Sequence, residues 1–225
     1  MSDSHDTPDF NAAAWTPRFV AFLRAQPPAP DGGHGLGHLR RVVATATHLA
    51  AAEGARLDVV LPAAWLHDCV AVAKDDPRRR HASQLAADAA TTFLRDAGYP
   101  TEPLPAIAHA IAAHSFSAGI APGSLEAKVV QDADRIDALG AIGIARAWLV
   151  GGALGLPLAH EDDPFADHRP LDDRAYTLDH YFVKLLRLAD TMQTEAGRAE
   201  ATRRTALMQA YLDQLRAEMT PSKHR

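Results

Sequence analysis

Several things are scarce in these 225 residues, and each scarcity excludes a class of protein. Cys69 is the only cysteine, so no disulfide can close within the chain, and a reducing compartment, the cytoplasm, is the natural expectation. Aromatic residues make up 6%, and β-branched clusters are few and short, which argues against a sheet protein. No apolar run is long enough to cross a bilayer, and the opening MSDSHDTPDF has neither the basic start nor the apolar core of a signal peptide; a soluble protein without a membrane partner is expected. Positive charge is not in surplus either. The 23 Lys and Arg against 28 Asp and Glu leave a net charge of -5, which offers no footprint for a nucleic acid polymer. Any phosphate binding should be local.

What is present is Ala and Leu in quantity, within an apolar share of 47%. The pattern predicts an all-α, single-domain protein: an N-terminal segment, 1–30, with one helix packed on the domain, a main domain, 31–218, and a short tail, 219–225. Thr16 and Pro17 open a first helix through RFVAFLRAQ, stopped by PPAPDGG, and a second runs from His38 to Gly54. Asp58 opens a third that carries VVLPAAWLHD; ASQLAADAATTFLRDAG, EPLPAIAHAIAAHS and, after Ser124, LEAKVVQDADRIDALG supply three more. AIGIARAWLV is a seventh. The stretch 151–173, rich in Gly, Pro and Asp, is long for a structureless connection, and such loops are often lids or binding loops. TLDHYFVKLLRLAD and a charged helix from about Thr194 to Glu218 close the chain. The glycines of DGGHGLGHL do not fit G-x-G-x-x-G and follow no strand, so a dinucleotide loop is rejected.

Ionisable groups stand against apolar neighbours at three places: His38 at a helix start, His67-Asp68 at a helix end, and Asp134 inside VVQDADRIDALGAIG. Each alone has a simpler reading. His38 could bond a carbonyl, Asp68 could cap the next turn, and Asp134 could pair with Arg135 or Arg41. On a helical wheel Val129, Ala133, Ile136 and Gly140 form a core stripe, with Asp134 just off it beside Val130 and Asp137; Asp132, Gln131 and Arg135 take the solvated face. If these helices meet, two imidazoles and two carboxylates converge, a mixed N/O set suited to a divalent transition ion.

His38, His67-Asp68 and Asp134 resemble, in order and on the expected helices, the H…HD…D pattern of the HD-domain metal-dependent phosphohydrolases, an all-helical superfamily. GHGLGHLRRV, WLHDCVAVAKDDP, AIAAHSFS, QDADRIDALGAIGIAR and KLLRLADTMQTEAGRAEATRR are similar to the bacterial HD-domain nucleotide pyrophosphohydrolases, over roughly 31–218. The resemblance implies that His38, His67, Asp68 and Asp134 ligate one divalent ion, Mn²⁺ first, with Mg²⁺, Co²⁺, Ni²⁺ or Fe²⁺ as alternatives. His109 and His114 lie too close on one helix to complete a two-metal set.

The resemblance also implies a catalytic group of Asp68, His114 and Lys74 acting on a small phosphorylated substrate, a nucleotide. Lys74 would clamp phosphate, with Arg78 the next candidate; Arg79 and Arg80 read more simply as a solvated loop. His114 either caps its own helix or gives a hydrogen bond or proton to the substrate. Asp137 is placed at the substrate side as a residue that orients a ligand histidine or holds Arg135. His34 is a loop histidine that could face the same pocket, and Cys69 is a small core residue. The implied reaction is hydrolysis of a nucleoside triphosphate to monophosphate and pyrophosphate. Its competitors are a phosphomonoesterase on the same site and a nucleotide-binding sensor without turnover. A homodimer through the long last helix is a further possibility.

Overall fold

The computed structural model describes residues 10–27, 35–72, 76–115 and 118–219, apart from the side chains of Pro77 and Arg79. Among the described residues there are nine α-helices and no strand, as the composition demands. The first, α1 (Ala12–Arg24), begins four residues ahead of the expected Thr16, because the Asn11 side chain accepts from the Ala14 amide and caps the helix there. Pro17 consequently lies inside the helix. This helix is fastened by its aromatics: Phe19 is fully buried, Trp15 meets Tyr99 edge-on, and Phe22 stacks on Phe93 with ring centroids 4.1 Å apart.

Next come α2 (Leu36–Glu53) and α3 (Leu57–Leu66). They are separated by Gly54, whose φ of 74° suits glycine and ends α2 in a left-handed cap. Helix α3 is apolar on all sides, and its residues from Val59 to Leu66 are all buried, which makes it the central post of the core. A 3₁₀ turn over Pro77–His81 leads into α4 (Ala82–Asp96), followed by α5 (Leu104–His114) and α6 (Leu125–Ile136), the last capped by Ser124 Oγ on the Ala127 amide. Helix α5 packs between α4 and α6, and α2 and α3 close on the other side of α6. Side chains such as Leu66, Ile111 and Ile136 have no exposure, and each contributes roughly 1.5–3 kcal/mol by leaving water. No single helix among the described residues is long and apolar enough to cross a membrane.

The remaining chain forms a second layer: α7 (Gly140–Ala153) packs on the long α9 (Glu195–Met219), with α8 (Asp179–Val183) between them in sequence. The expected helix over TLDHYFVKLLRLAD is broken. It ends at Lys184, whose backbone leaves the helical region (φ -129°, ψ -58°), and resumes as a 3₁₀ segment, Leu185–Thr191. The break keeps Tyr181 and Leu185 buried while Lys184 and Arg187 stay exposed.

The wheel assignment for α6 is corrected on one face. Gln131 and Asp132 are buried rather than solvated, Gln131 donating to the Ala113 carbonyl of α5 and Asp132 covered by the chain entering α9. Asp132 has no exposure and accepts from the Gln193 amide (2.9 Å), the Thr194 amide (2.8 Å) and Thr194 Oγ1 (2.7 Å), so a carboxylate from another helix sits at the start of α9. A Cβ at Gly197 would run into that carboxylate.

The expected loop is irregular from 154 to 178 and well fastened. Arg169 grips buried Asp179 with two nitrogens (2.6 and 2.8 Å), and the Asp172 amide donates to the same carboxylate. Arg216 of α9 lies over the Phe165 ring and bonds Asp167.

Candidate metal centre and phosphate cavity

Four helices deliver the donors. His38 lies in the first turn of α2, His67 and Asp68 follow the last residue of α3, His114 ends α5, and Asp134 lies on α6. The imidazoles of His38, His67 and His114 are buried, whereas the Asp68 and Asp134 side chains keep 28% and 27% exposure. The doublet therefore splits: His67 belongs to the core and Asp68 opens onto a cavity.

The nitrogen and oxygen atoms converge closely. His38 Nε2 lies 3.4 Å from His67 Nε2 and 3.4 Å from Asp134 Oδ1, and His67 Nε2 lies 3.6 Å from both Asp134 Oδ1 and Asp68 Oδ2. His114 Nε2 adds a contact of 3.5 Å to Asp68 Oδ1. Among the described residues, His38, His67 and Asp134 form one group with metal-ligand spacing, and His67, Asp68 and His114 form a second that shares His67. His109 is elsewhere, accepting from the Gly123 amide.

The other ring nitrogens show that an ion fits. His67 Nδ1 lies 2.9 Å from the Ala64 carbonyl, which can only accept, so Nδ1 carries a proton. His38 Nδ1 likewise donates to Asp137 Oδ2 at 2.7 Å. With both δ nitrogens committed, the two neutral rings point lone pairs at each other across 3.4 Å, an arrangement that repels unless an electrophile lies between them. Donors around one ion with bonds of about 2.1 Å stand roughly 3–3.5 Å apart, which matches the spacing here.

Electrostatics agree with that donor chemistry. Burial works against a charged His38, but hydrogen bonds to Asp134 and Asp137 outweigh it and raise its pKa to about 9. His67 is raised too, with the charges of Asp68 and Asp134 overcoming desolvation. Asp68 and Asp134 are held low, because the histidines more than offset the cost of burial. Without an ion, protons do the job of the cation.

Asp137 corrects one expectation. Its carboxylate is buried and receives His38 Nδ1, Arg41 Nε (2.7 Å) and Arg146 Nη1 (2.6 Å), so it stands behind His38 and is not exposed to substrate. It holds the His38 ring through Nδ1, the contact that the ring-orienting reading calls for, and Arg135 donates to the Thr191 carbonyl. Cys69 is a buried core residue whose thiol gives a weak bond to the Ala86 carbonyl; burial, helped by the Asp68 charge, pushes it up to about 12.

The donor cluster opens on a cavity of about 690 Å³. Asp68, His114 and Asp134 form its donor wall, and Arg135, Arg146, Asp173, Lys184 and Arg187 are the other charged residues of the lining. Arg146 is tied to Asp137, but the Lys184 and Arg187 side chains have no acceptor among the described residues. Sequence reasoning looks for phosphate-binding cations in the segment after Asp68. Arg78 is exposed, its guanidinium is held by Asp76 (2.7 Å), and it does not line the cavity. Lys74 and His34 lie outside the described residues, as does the Arg79 side chain. The sequence signal for Lys184 and Arg187 as a pair is the spacing in KLLR, which puts them three residues apart.

An all-helical body with two histidines and two aspartates gathered from α2, α3 and α6 defines an HD-domain protein, and the HD domain family model matches residues 35–139. The chain belongs to that family. It is 35% identical over 193 residues to the uncharacterized protein YpgQ of Bacillus subtilis, covering 84% of this chain and 86% of YpgQ. The crystal structure of YpgQ in complex with ADP aligns over 92% of this chain and 98% of that one, with 32% identity and a TM-score of 0.71. An HD-superfamily hydrolase from Bacillus thuringiensis aligns over 90% and 95%, with 31% identity and a TM-score of 0.69.

Proposed function

We propose that this protein is a metal-dependent phosphohydrolase that cleaves a nucleoside triphosphate to the monophosphate and pyrophosphate, using residues 31–218 as its catalytic domain. One observation carries the reading: donors with metal-ligand spacing and two cations with no acceptor among the described residues, Lys184 and Arg187, line one cavity. A polyanionic substrate is what such a pairing suits. The solved complex of YpgQ with ADP adds that a similar protein binds a nucleotide.

His38, His67, Asp68 and Asp134 would hold one divalent ion, Mn²⁺ by preference, since nitrogen and carboxylate together favour such a metal over Ca²⁺. When bound, the ion supplies Lewis acidity and makes a water acidic enough to attack near neutral pH. Asp137 fixes the His38 ring by accepting from Nδ1, with Arg41 and Arg146 balancing its charge. Lys184 and Arg187 neutralise phosphate oxygens and steady the departing pyrophosphate. His114 Nε2, beside Asp68 Oδ1, is placed to hydrogen-bond a non-bridging oxygen or pass a proton to the leaving group. The buried thiol of Cys69 suits a cytoplasmic setting.

The test is incubation of the Mn²⁺-loaded protein with ribo- and deoxyribonucleoside triphosphates in ¹⁸O-water, read by phosphorus NMR. Monophosphate and pyrophosphate should appear together, with the label in the monophosphate. Orthophosphate released from monophosphates would select a phosphomonoesterase, and tight nucleotide binding without product would select a sensor.

A further inference from the structure

A second cavity, of about 590 Å³, adjoins the first and shares Ala138, Arg146, Asp173 and Lys184 with it. Its volume lies inside the range of small-molecule sites, roughly 300–1,000 Å³. Its chemistry differs from that of the phosphate cavity. Helix α7 and the turn after it present an apolar surface through Ala147, Val150, Leu154 and Leu156. Opposite stands a polar pair, Asp173 and His180, joined by a hydrogen bond of 2.9 Å from His180 Nδ1 to Asp173 Oδ2.

The space is built rather than left over. Gly151 is buried in α7, and a Cβ there would collide with the Thr177 side chain, so glycine lets the loop close against the helix at the cavity wall. The Thr177 and Leu178 amides bond back to the Pro157 and Leu158 carbonyls, and the Arg169–Asp179 pair fastens the same loop, which fixes Asp173 and His180 between them.

We propose that this second cavity is the nucleoside subsite, in which the α7 surface takes the base and Asp173 with His180 reads its polar edge or the sugar hydroxyls. This rests on the triphosphate reading of the first cavity. Arg146 and Lys184 stand where the two cavities meet, at the place a phosphate joins a nucleoside. Asp173 lines both cavities, and held by His180 it offers an acceptor to hydroxyl and exocyclic amino groups, while the apolar α7 surface belongs to the second cavity alone. Sites that bind through such polar groups discriminate strongly against ligands lacking the matching donor.

The experiment compares Mn²⁺-loaded wild type, Ala147→Phe, which fills the apolar side, and Asp173→Asn and His180→Ala, which alter half-buried side chains of the loop and of α8. Calorimetry gives the affinity of each for inorganic tripolyphosphate and for a panel of nucleoside triphosphates, and turnover is followed in parallel. The expected result is that Ala147→Phe weakens every nucleotide by about tenfold or more with tripolyphosphate unchanged, while the polar variants reorder preference among bases and between ribose and deoxyribose. Equal losses for tripolyphosphate and nucleotides, or an unaltered ranking in both polar variants, would overturn the subsite. If wild type turns nothing over but still binds nucleotides better than tripolyphosphate, and Ala147→Phe abolishes that difference, the hydrolase reading fails and the subsite stands.

Discussion

Behind the donor wall of the cavity, three buried imidazoles and two aspartates come from four helices, and each histidine δ nitrogen is already bonded. On the cation wall Lys184 and Arg187 are exposed, lie at and after a break in a helix, and have no acceptor among the described residues. The first wall is determined before any ligand arrives, since packing and outer hydrogen bonds fix every ring; the second, under the proposed function, would be completed by the substrate's phosphates. Pre-organised donors hold an ion in fixed geometry, while uncommitted cations can take, and release, a charged substrate.

The comparison breaks hardest at Asp134. Asp134→Ala should strip most of the ion and lower turnover by on the order of a thousandfold or more, because the Lewis acid is lost, while helical circular dichroism persists. Metal analysis of the purified variant checks it; stoichiometric ion with full turnover would remove Asp134 from the ligand set. A smaller loss is expected behind the ligands. Asp137→Asn should weaken ion affinity by about 10–100-fold, since His38 loses the charge that orients its ring.

The same wall has a pH signature. His38 has its pKa raised from 6.5 to about 9, so in the ion-free protein its proton stabilises the fold fully below pH 6.5, and that contribution is lost as pH rises through about 9. An ion must displace that proton and gains as pH rises. The Mn²⁺-induced increase in melting temperature should therefore grow between about pH 6.5 and 9, and grow less in Asp137→Asn. Thermal scans with and without ion across that window decide it.

The cation wall should respond differently. Lys184→Ala should leave the ion in place and lower kcat/KM for triphosphates by about ten- to a hundredfold, the scale of one charge-assisted hydrogen bond. Metal titration beside steady-state kinetics separates the two walls; equal losses in both readouts would make them one unit.

How much of this the sequence discloses follows from the range of the signals. His38, His67, Asp68 and Asp134 are legible because charged groups in apolar helices are costly unless something compensates them. The helices are legible from period and caps, and Ser124 and Gly54 fall where the rules put them. Asp132 was misplaced because a wheel knows only its own helix, and the cover over it arrives from Gln193 and Thr194, some sixty residues on. Lys184 and Arg187 are not legible for the same reason: proximity in chain favours the run after Asp68, whereas their place in one cavity with Asp68 and Asp134 is set by the fold.

That buried carboxylate gives a loss of another kind. Asp132→Ala leaves the Gln193 and Thr194 donors without their acceptor and should cost roughly 1–3 kcal/mol of stability, with ion affinity and kcat unaffected well below the melting temperature. Calorimetric melting beside kinetics at low temperature checks it, and a fall in kcat would tie the start of α9 to the site.

The smallest effect belongs to Arg78, the candidate that the sequence ranks after Lys74. Its side chain keeps 71% exposure, its guanidinium already has Asp76 as partner, and it lines no part of the cavity. An exposed pair of this kind contributes little to stability, because water screens the charges and two side chains must be held in place. Arg78→Ala should therefore leave the melting temperature and ion affinity as they are and change kcat/KM by no more than about twofold, the behaviour of a surface site away from special contacts. The informative comparison is with Lys184→Ala on the same triphosphate. A loss in Arg78→Ala equal to that in Lys184→Ala would mean that the segment after Asp68 reaches the phosphates when substrate is bound, and the grip would then come from both sides of the ion.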